Sequence, residues 1–199
     1  MTLVFLGDYV DRGPESKGVI DTMLALEQLD DFDLICLKGN HEQVMSRFLD
    51  DFGIGPVWMT HGGRDTLLSY DIEPPREGAS DEVWEKTQAA LNEALPPRHR
   101  QFLDKLVLSH SVGGYFFAHA GVRPGVALNS QEENDLLWIR REFISHKKAF
   151  PKIVVHGHTV TDTLHLNHSR IGVDTGAYAT GRLSAARLEN AEIEFITTE

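Results

Sequence analysis

Four short polar clusters in the sequence contain side chains that could carry out metal-assisted acid–base chemistry. They span residues 7–13 (GDYVDRG), 39–42 (GNHE), 119–121 (HAG) and 156–159 (HGHT). Each places an aspartate, an asparagine or a histidine near a glycine, which allows another backbone segment to come close. Together they offer carboxylate and amide oxygens with imidazole nitrogens. This ligand set suits manganese, iron or zinc better than magnesium or calcium.

The first cluster combines possible metal and phosphate ligands. Asp8 directly follows an apolar run, and its carboxylate could bridge two cations. Asp11 and Arg12 lie further round the same loop, and the planar guanidinium of an arginine matches phosphate oxygens. An isolated Asp-Arg pair would more simply belong to a turn, but the seven-residue string after a strand favours a functional pocket.

The other clusters are less specific when each is taken alone. Asn40 offers a neutral oxygen and His41 could transfer a proton near neutral pH, yet Asn40 could equally be a helix cap. His119 and His158 could be metal ligands or ordinary hydrogen-bonded loop histidines. The chain has ten histidines, and six of them are interpreted as ordinary hydrogen-bonded residues: His61, His99, His110, His146, His165 and His168. The four clusters together favour a metal site.

All four clusters follow predicted strands, at residues 2–6, 33–37, 115–118 and 152–155. Because ligands of open α/β sheets gather at the carboxyl ends of strands, these positions suit a shared site. The patterns also predict helices at 16–29, 42–52, 80–95 and 130–144, a hairpin turn at Gly113-Gly114, and late strands at 163–166, 170–173, 184–188 and 192–196. This order predicts an α/β fold in which two mixed sheets pack as a sandwich flanked by helices.

Composition limits the class of protein. The 199 residues suit one domain, residues 1–199, and the formal charge of -11 argues against nucleic acid as a partner. No signal peptide and no apolar segment of membrane-spanning length is visible, so we expect no membrane partner. The single cysteine, Cys36, lies in an apolar run, which predicts a core thiol and fits a cytoplasmic location.

The strings GDYVDRG, GNHE, HAG and GHT, in that order, resemble the signature of the calcineurin-like metallophosphoesterases. Among these, they look specifically like the phosphoprotein phosphatase family and its bacterial, phage-lambda-type branch. It covers residues 3–176 and includes further similar segments at 58–68, 136–140 and 174–176. The resemblance implies the metallophosphatase fold and a metal-dependent phosphoesterase.

The resemblance also implies a set of metal ligands. Asp8 would bridge two metal ions, manganese being expected and iron or zinc being alternatives. Asn40, His119 and His158 would complete the second metal site. His156 would lie behind the ligands rather than bind the metal.

A proton donor and a phosphate-binding group are implied as well. His41 would protonate the leaving group and would be held by Asp11. Arg12, Arg140 and Asn40 would bind the phosphate. The implied reaction is direct attack on phosphorus by a hydroxide that bridges the two metal ions, without a covalent phosphoenzyme.

The expected substrate is a phosphoserine or phosphothreonine protein, or a small phosphoester. Two alternatives stay open: hydrolysis of dinucleoside polyphosphates such as bis(5'-nucleosyl)-tetraphosphate, and a non-catalytic phosphate-binding relative. The retained Asp11, Arg12, His41 and Arg140 argue against the non-catalytic alternative.

One motif of the family is missing from the sequence. Family members carry an earlier Gly-Asp-x-His string, whose aspartate and histidine complete the first metal site, and no such string precedes Asp8. We therefore expect an incomplete first-metal site and a domain whose first strand and helix are absent. Truncation is the preferred explanation and degeneration the alternative. Because an interior strand and its helix are missing, we expect low or no activity and low stability.

Overall fold

The computed structural model describes residues 1–189 and 192–198. The described residues form both helices and strands. The chain divides into two compact units. The first unit comprises Met1–Leu3 and Gly7–Leu106, and the second comprises Val4–Leu6 and Val107–Glu199. Strand β1 (Thr2–Phe5) runs from the first unit into the second. None of the described helices is long and apolar enough to cross a membrane.

The first unit is mainly helical. Its second strand, β2 (Asp33–Cys36), pairs with β1, and the N–H of Asp33 donates to the carbonyl of Met1 at 2.9 Å. Its helices are α1 (Ser16–Leu26), α2 (Asn40–Asp50), α3 (Gly55–Thr60), α4 (Gly63–Ser69), α5 (Asp81–Ala94) and α6 (Pro97–Lys105), with a 3₁₀ turn at Phe52–Ile54.

The predicted early elements are confirmed, with ends shifted by a few residues. Helix α2 begins two residues before its predicted start at Glu42, because the extended backbone of Gly39 (φ -94°, ψ 172°) forms the N-cap. Asn40 is therefore the first helical residue, and its interpretation as the cap is wrong. The Pro96-Pro97 pair ends α5, but it also begins α6, since proline is well suited to the first turn of a helix.

Aromatic side chains hold the helices of the first unit together. The indole of Trp58 is fully buried and lies 4.8 Å from the ring of Phe48, which in turn meets Trp84 edge-on at 6.2 Å. Gly55 allows α3 to pass close to α5, because a Cβ at this position would lie 2.2 Å from the ring of Trp84. The core of this unit therefore fixes the position of α3.

The second unit is built on a five-stranded mixed sheet. Its strands are β3 (Ser109–Val112), β4 (Tyr115–Ala118), β5 (Ile153–His156), β6 (His165–Leu166) and β7 (Arg170–Gly172), in the order β3-β4-β5-β7-β6. Strand β4 pairs in parallel with β5, and β5 in parallel with β7, while both edge strands are antiparallel. The predicted hairpin between β3 and β4 is confirmed, with Gly113 at a φ of 54°.

The remaining elements of this unit are short. They are a 3₁₀ turn at Leu128–Ser130, helices α7 (Glu133–Trp138), α8 (Arg141–Ile144) and α9 (Ala177–Thr180), and the antiparallel hairpin of β8 (Ser184–Glu189) and β9 (Glu192–Thr197). The predicted helix at 130–144 is wrong in detail. The helix begins at Glu133 instead of residue 130, and it is interrupted between Trp138 and Arg141.

Candidate active site

A buried glutamate joins the first two polar clusters in the first unit. The carboxylate of Glu42 accepts the N–H groups of Asp8 at 2.9 Å, Tyr9 at 2.7 Å and Val10 at 3.2 Å, and that of Gly39 at 2.8 Å. It therefore fastens the loop after β1 to the N-terminus of α2. Sequence reasoning gave this residue no role, although a glutamate at the third helical position often reaches back to the N-cap.

Gly39 permits the close approach of the Asp8 loop to α2. A Cβ at this position would lie 2.3 Å from Oδ1 of Asp8 and 2.5 Å from its backbone nitrogen. Atoms cannot come this close without a shift of the backbone. The glycine thus allows the exposed carboxylate of Asp8 to lie beside the start of the helix that carries Asn40 and His41.

Unusual backbone geometry is concentrated in the predicted site. Among the described residues, five that are not glycine have a positive φ: Asp8 (61°), Asp11 (74°), Arg12 (62°), Asp71 (62°) and His158 (62°). All except Asp71 belong to the polar clusters. Left-handed backbone at such residues carries strain and persists only where its surroundings hold it, and it is enriched at functional sites.

His41 and Asp11 form a buried pair. Nδ1 of His41 lies 2.8 Å from Oδ2 of Asp11, and both side chains are almost completely buried. Burial by itself lowers the pKa of His41. The hydrogen bond to Asp11 and the negative charges of Asp8, Asp11 and Glu42 outweigh it, so the pKa is raised. The imidazole is therefore suited to hold a proton that it could later donate.

Two adjacent glycines lie against Arg12 and Trp58. The N–H of Arg12 donates to the carbonyl of Gly62 at 3.2 Å, and a Cβ at Gly62 would lie 2.6 Å from Cγ of Arg12. Gly63 packs on the indole of Trp58, where a Cβ would lie 2.5 Å from the ring. The side chain of Arg12 is exposed, so it is accessible for the predicted contact with phosphate.

In the second unit, two predicted ligands face each other. Nε2 of His119 lies 3.2 Å from Nδ1 of His158, and Nδ1 of His119 lies 2.7 Å from the carbonyl oxygen of Leu6. Because a carbonyl can only accept, Nδ1 of His119 is the donor, and in the neutral ring Nε2 carries the lone pair. Metal-binding histidines usually donate their other N–H in this way. The pair therefore fits a transition-metal ion.

The break between α7 and α8 brings Arg140 to the same loop. Its backbone (φ -132°, ψ -91°) leaves the helical region, and its Nη1 donates to the carbonyl of His158 at 3.0 Å. The structure thus places Arg140 next to a predicted metal ligand.

His156 is buried behind the loop that carries His158. Its Nδ1 lies 3.1 Å from the carbonyl of Gly157, and its ring meets Phe143 edge-on at 4.9 Å. Burial lowers the pKa of His156 to about 4, so its ring is neutral at pH 7. This environment agrees with the predicted position of His156 behind the metal ligands. Its role stays a prediction.

Each unit thus gathers its own share of the predicted side chains. The first unit collects Asp8, Asp11, Arg12, Asn40 and His41, and the second collects His119, Arg140 and His158. Their roles stay predictions. Sequence reasoning gave no role to Glu42, Trp58 or Thr66, which contact the first set directly.

Comparisons with known proteins identify the family of the chain. The family model described as calcineurin-like phosphoesterase matches residues 2–189. The bis(5'-nucleosyl)-tetraphosphatase PrpE [asymmetrical] of Anoxybacillus flavithermus is 25% identical over 205 residues, which cover 96% of this chain and 76% of that protein. Serine/threonine-protein phosphatase 2 of Escherichia coli is 27% identical over 195 residues, which cover 94% of this chain and 79% of that protein.

Solved structures show the same fold. A putative diadenosine tetraphosphatase superposes with a TM-score of 0.65 at 22% identity, covering 98% of this chain and 80% of the other. A protein serine/threonine phosphatase from Saccharomyces cerevisiae superposes with a TM-score of 0.58 at 14% identity, covering 100% and 70%. The predicted metallophosphatase fold is confirmed. The chain belongs to the calcineurin-like phosphoesterases, a family of metal-dependent phosphoester hydrolases.

Proposed function

We propose that the protein hydrolyses phosphoesters by direct attack of water on phosphorus, with His41 as the proton donor to the leaving group. The buried pair of His41 and Asp11, joined at 2.8 Å, is the observation that carries this proposal. A protonated imidazole held by a carboxylate is a suitable acid near neutral pH. The exposed Asp8 and Arg12 on the same loop supply a metal ligand and a phosphate ligand.

The proposed metal ligands are Asp8 and Asn40 of the first unit and His119 and His158 of the second. Their mixed oxygen and nitrogen donors suit manganese, with iron or zinc as alternatives. Bound metal ions would lower the pKa of water and neutralise charge on the phosphoryl oxygens. The lone pair on Nε2 of His119, set by the Leu6 carbonyl, supports its part in this set.

The other side chains have separate tasks. Arg12 and Arg140 bind the phosphate through their guanidinium groups, and Asn40 contributes an amide contact. Asp11 keeps His41 protonated and oriented through the hydrogen bond to Nδ1, so that Nε2 is the atom that gives its proton to the departing oxygen.

Two substrate classes are supported. The first is a protein or peptide carrying phosphoserine or phosphothreonine, in line with the similarity to the E. coli serine/threonine phosphatase. The second is a bis(5'-nucleosyl)-tetraphosphate, which the similarity to several PrpE tetraphosphatases at 25–28% identity favours. We place the reaction in the cytoplasm and expect neither nucleic acid nor membrane to take part.

Substitution of His41 tests the proposal. An alkoxide leaving group is strongly basic, so removal of the acid in His41→Asn should lower kcat on a phosphothreonine peptide by about 10²- to 10⁴-fold. The assay contains manganese and compares this variant with His168→Asn, whose side chain is exposed and lies outside the proposed site. Equal rates for the two variants would contradict the assignment of His41.

A parallel assay with diadenosine tetraphosphate separates the substrate classes. The nucleotide released from a phosphoanhydride is a weakly basic leaving group, so His41→Asn should affect this substrate less than the phosphopeptide. The ratio of kcat/KM values for the wild-type protein identifies the preferred class. Hydrolysis of neither substrate, with or without manganese, would overturn the proposed function.

A further inference from the structure

The carboxylate of Asp11 is held by two donors besides His41. Oδ1 accepts the hydroxyl of Thr66 at 2.7 Å and the indole N–H of Trp58 at 3.0 Å. Oδ2 lies 2.8 Å from Nδ1 of His41 and 3.1 Å from the same indole nitrogen. The indole therefore spans both oxygens, and the hydroxyl occupies Oδ1. This arrangement leaves Oδ2 directed at His41.

Thr66 also holds the backbone of Asp11. Its hydroxyl oxygen accepts the N–H of Asp11 at 2.9 Å, and Oγ of Ser16 lies 3.1 Å from both groups. A carboxylate can only accept, so the hydroxyl proton of Thr66 points at Oδ1 while its lone pairs receive the N–H. One hydroxyl thus stabilises both the left-handed backbone of Asp11, with a φ of 74°, and the orientation of its side chain.

Both donors belong to packed helices and not to loops. Trp58 on α3 and Thr66 on α4 have no exposed surface. The indole packs closely against Phe48 and Gly63. Close packing of this kind limits a side chain to one rotamer, so the two donors are fixed relative to the carboxylate.

We infer that Trp58 and Thr66 are positioning residues for the proton donor: they hold Asp11 in the one orientation that aligns His41 with the leaving group. The inference rests on the proposed function, in which His41 supplies the proton. Without either donor the carboxylate rotates, the hydrogen bond to Nδ1 lengthens, and Nε2 no longer faces the departing oxygen.

The first experiment observes the hydrogen bond itself and requires no activity. Proton NMR of the full chain at constant pH follows the imidazole N–H of His41, assigned by its loss in His41→Asn. Thr66→Val and Trp58→Phe keep most of the packing volume but remove the donor, and each should broaden or shift this resonance. Thr66→Ser should restore it. An unchanged resonance in both donor variants would overturn the inference.

A matched control exists in α5. Thr87 is also a buried threonine, and its hydroxyl donates to the carbonyl of Val83 at 2.9 Å, within the same helix. Thr87→Val therefore removes a buried hydroxyl without touching Asp11, and the His41 resonance should stay unchanged. Trp58→Phe and Thr66→Val remove different donors, and circular dichroism shows whether each variant folds. If one variant misfolds, the His41 resonance of the other tests the inference.

The second experiment measures the dependence of kcat on the leaving group. Phenyl phosphate releases a more basic oxygen than p-nitrophenyl phosphate and so needs the acid more. Thr66→Val should lower kcat on phenyl phosphate about tenfold more than on p-nitrophenyl phosphate, with little change in KM. Equal losses on the two esters would mean that Thr66 has only a structural role.

The two experiments separate the inference from the proposed function. If His41→Asn itself shows no selectivity for the leaving group, His41 is not the proton donor and the proposed function fails. If His41→Asn is selective but Thr66→Val and Trp58→Phe are not, the inference alone fails. In either case, the NMR comparison tests whether Trp58 and Thr66 maintain the hydrogen bond between His41 and Asp11.

Discussion

At the scale of single residues, the site depends on two buried carboxylates, each of which has several hydrogen-bond partners. Glu42 has four backbone N–H partners, and Asp11 has His41, Trp58 and Thr66. Burial, followed by the charge of Asp8, raises the pKa of Glu42 to about 7, while the N–H groups of Asp8 and Gly39 oppose that rise. Such a residue holds backbone in place, so its removal should affect folding before it affects chemistry.

The substitution Glu42→Gln tests this role. The amide nitrogen of glutamine cannot accept, so buried N–H groups lose their partner, and the free energy of unfolding should fall by about 2–3 kcal/mol. Urea unfolding followed by circular dichroism measures the change. Glu82→Gln is the control, since Glu82 is exposed and pairs with Lys86 of its own helix at 2.6 Å. Equal unfolding midpoints for the two variants would show that Glu42 is not a structural anchor.

At the scale of elements, glycines decide how closely the segments of the site approach each other. Gly39 allows the Asp8 loop to meet α2, and Gly62 and Gly63 allow α4 to meet Arg12 and the indole of Trp58. These contacts explain why the glycines flank the candidate residues. A side chain at any of the three would separate the elements that the site brings together.

The substitution Gly39→Ala should therefore destabilise the first unit. The added Cβ would overlap the backbone nitrogen of Asp8, and overpacking of this kind typically costs about 1–3 kcal/mol. Gly114→Ala in the β3–β4 turn is a suitable control, because among the described residues no heavy atom beyond its chain neighbours lies within 4 Å of its Cβ position. Thermal unfolding compares the two variants. A melting temperature for Gly39→Ala no lower than that of the control would contradict the steric explanation.

At the scale of the whole molecule, the proposed ligands are divided between the two units of the chain. Asp8 and Asn40 belong to the first, and His119 and His158 to the second. A ligand that binds only the folded state stabilises it by mass action. Metal binding can therefore be measured by stability alone, whatever the catalytic rate.

Manganese should raise the melting temperature of the wild-type protein. At a hundred times its Kd the gain is about 2.7 kcal/mol, which for a chain of this size corresponds to about 5–10 °C. The shift should be lost in His119→Ala and after addition of EDTA, and it should persist in His168→Ala. A shift of equal size in both histidine variants would place the metal elsewhere.

Much of this protein can be predicted from its sequence because the relevant signals are local. Apolar periodicity located β1, β2, α1, α2 and α5, and the Gly113-Gly114 turn located the β3–β4 hairpin. The order of four short motifs predicted the family and the fold, both confirmed. Each motif lies at the end of a strand, as predicted, whereas the roles of its residues stay predictions. Local signals did not predict α6, because a proline pair that ends one helix can also begin the next. They did not predict the break between α7 and α8 either, because it lies in the backbone geometry of Arg140.

Only the tertiary structure showed how the reactive groups are held. Trp58 and Thr66 are 47 and 55 residues away from Asp11 along the chain, and Glu42 is more than 30 residues away from the N–H groups of the Asp8 loop. No short-range pattern encodes such pairs, because they depend on how helices pack. The sequence determined which groups could do the chemistry, and the packing of α2, α3 and α4 decided their orientation.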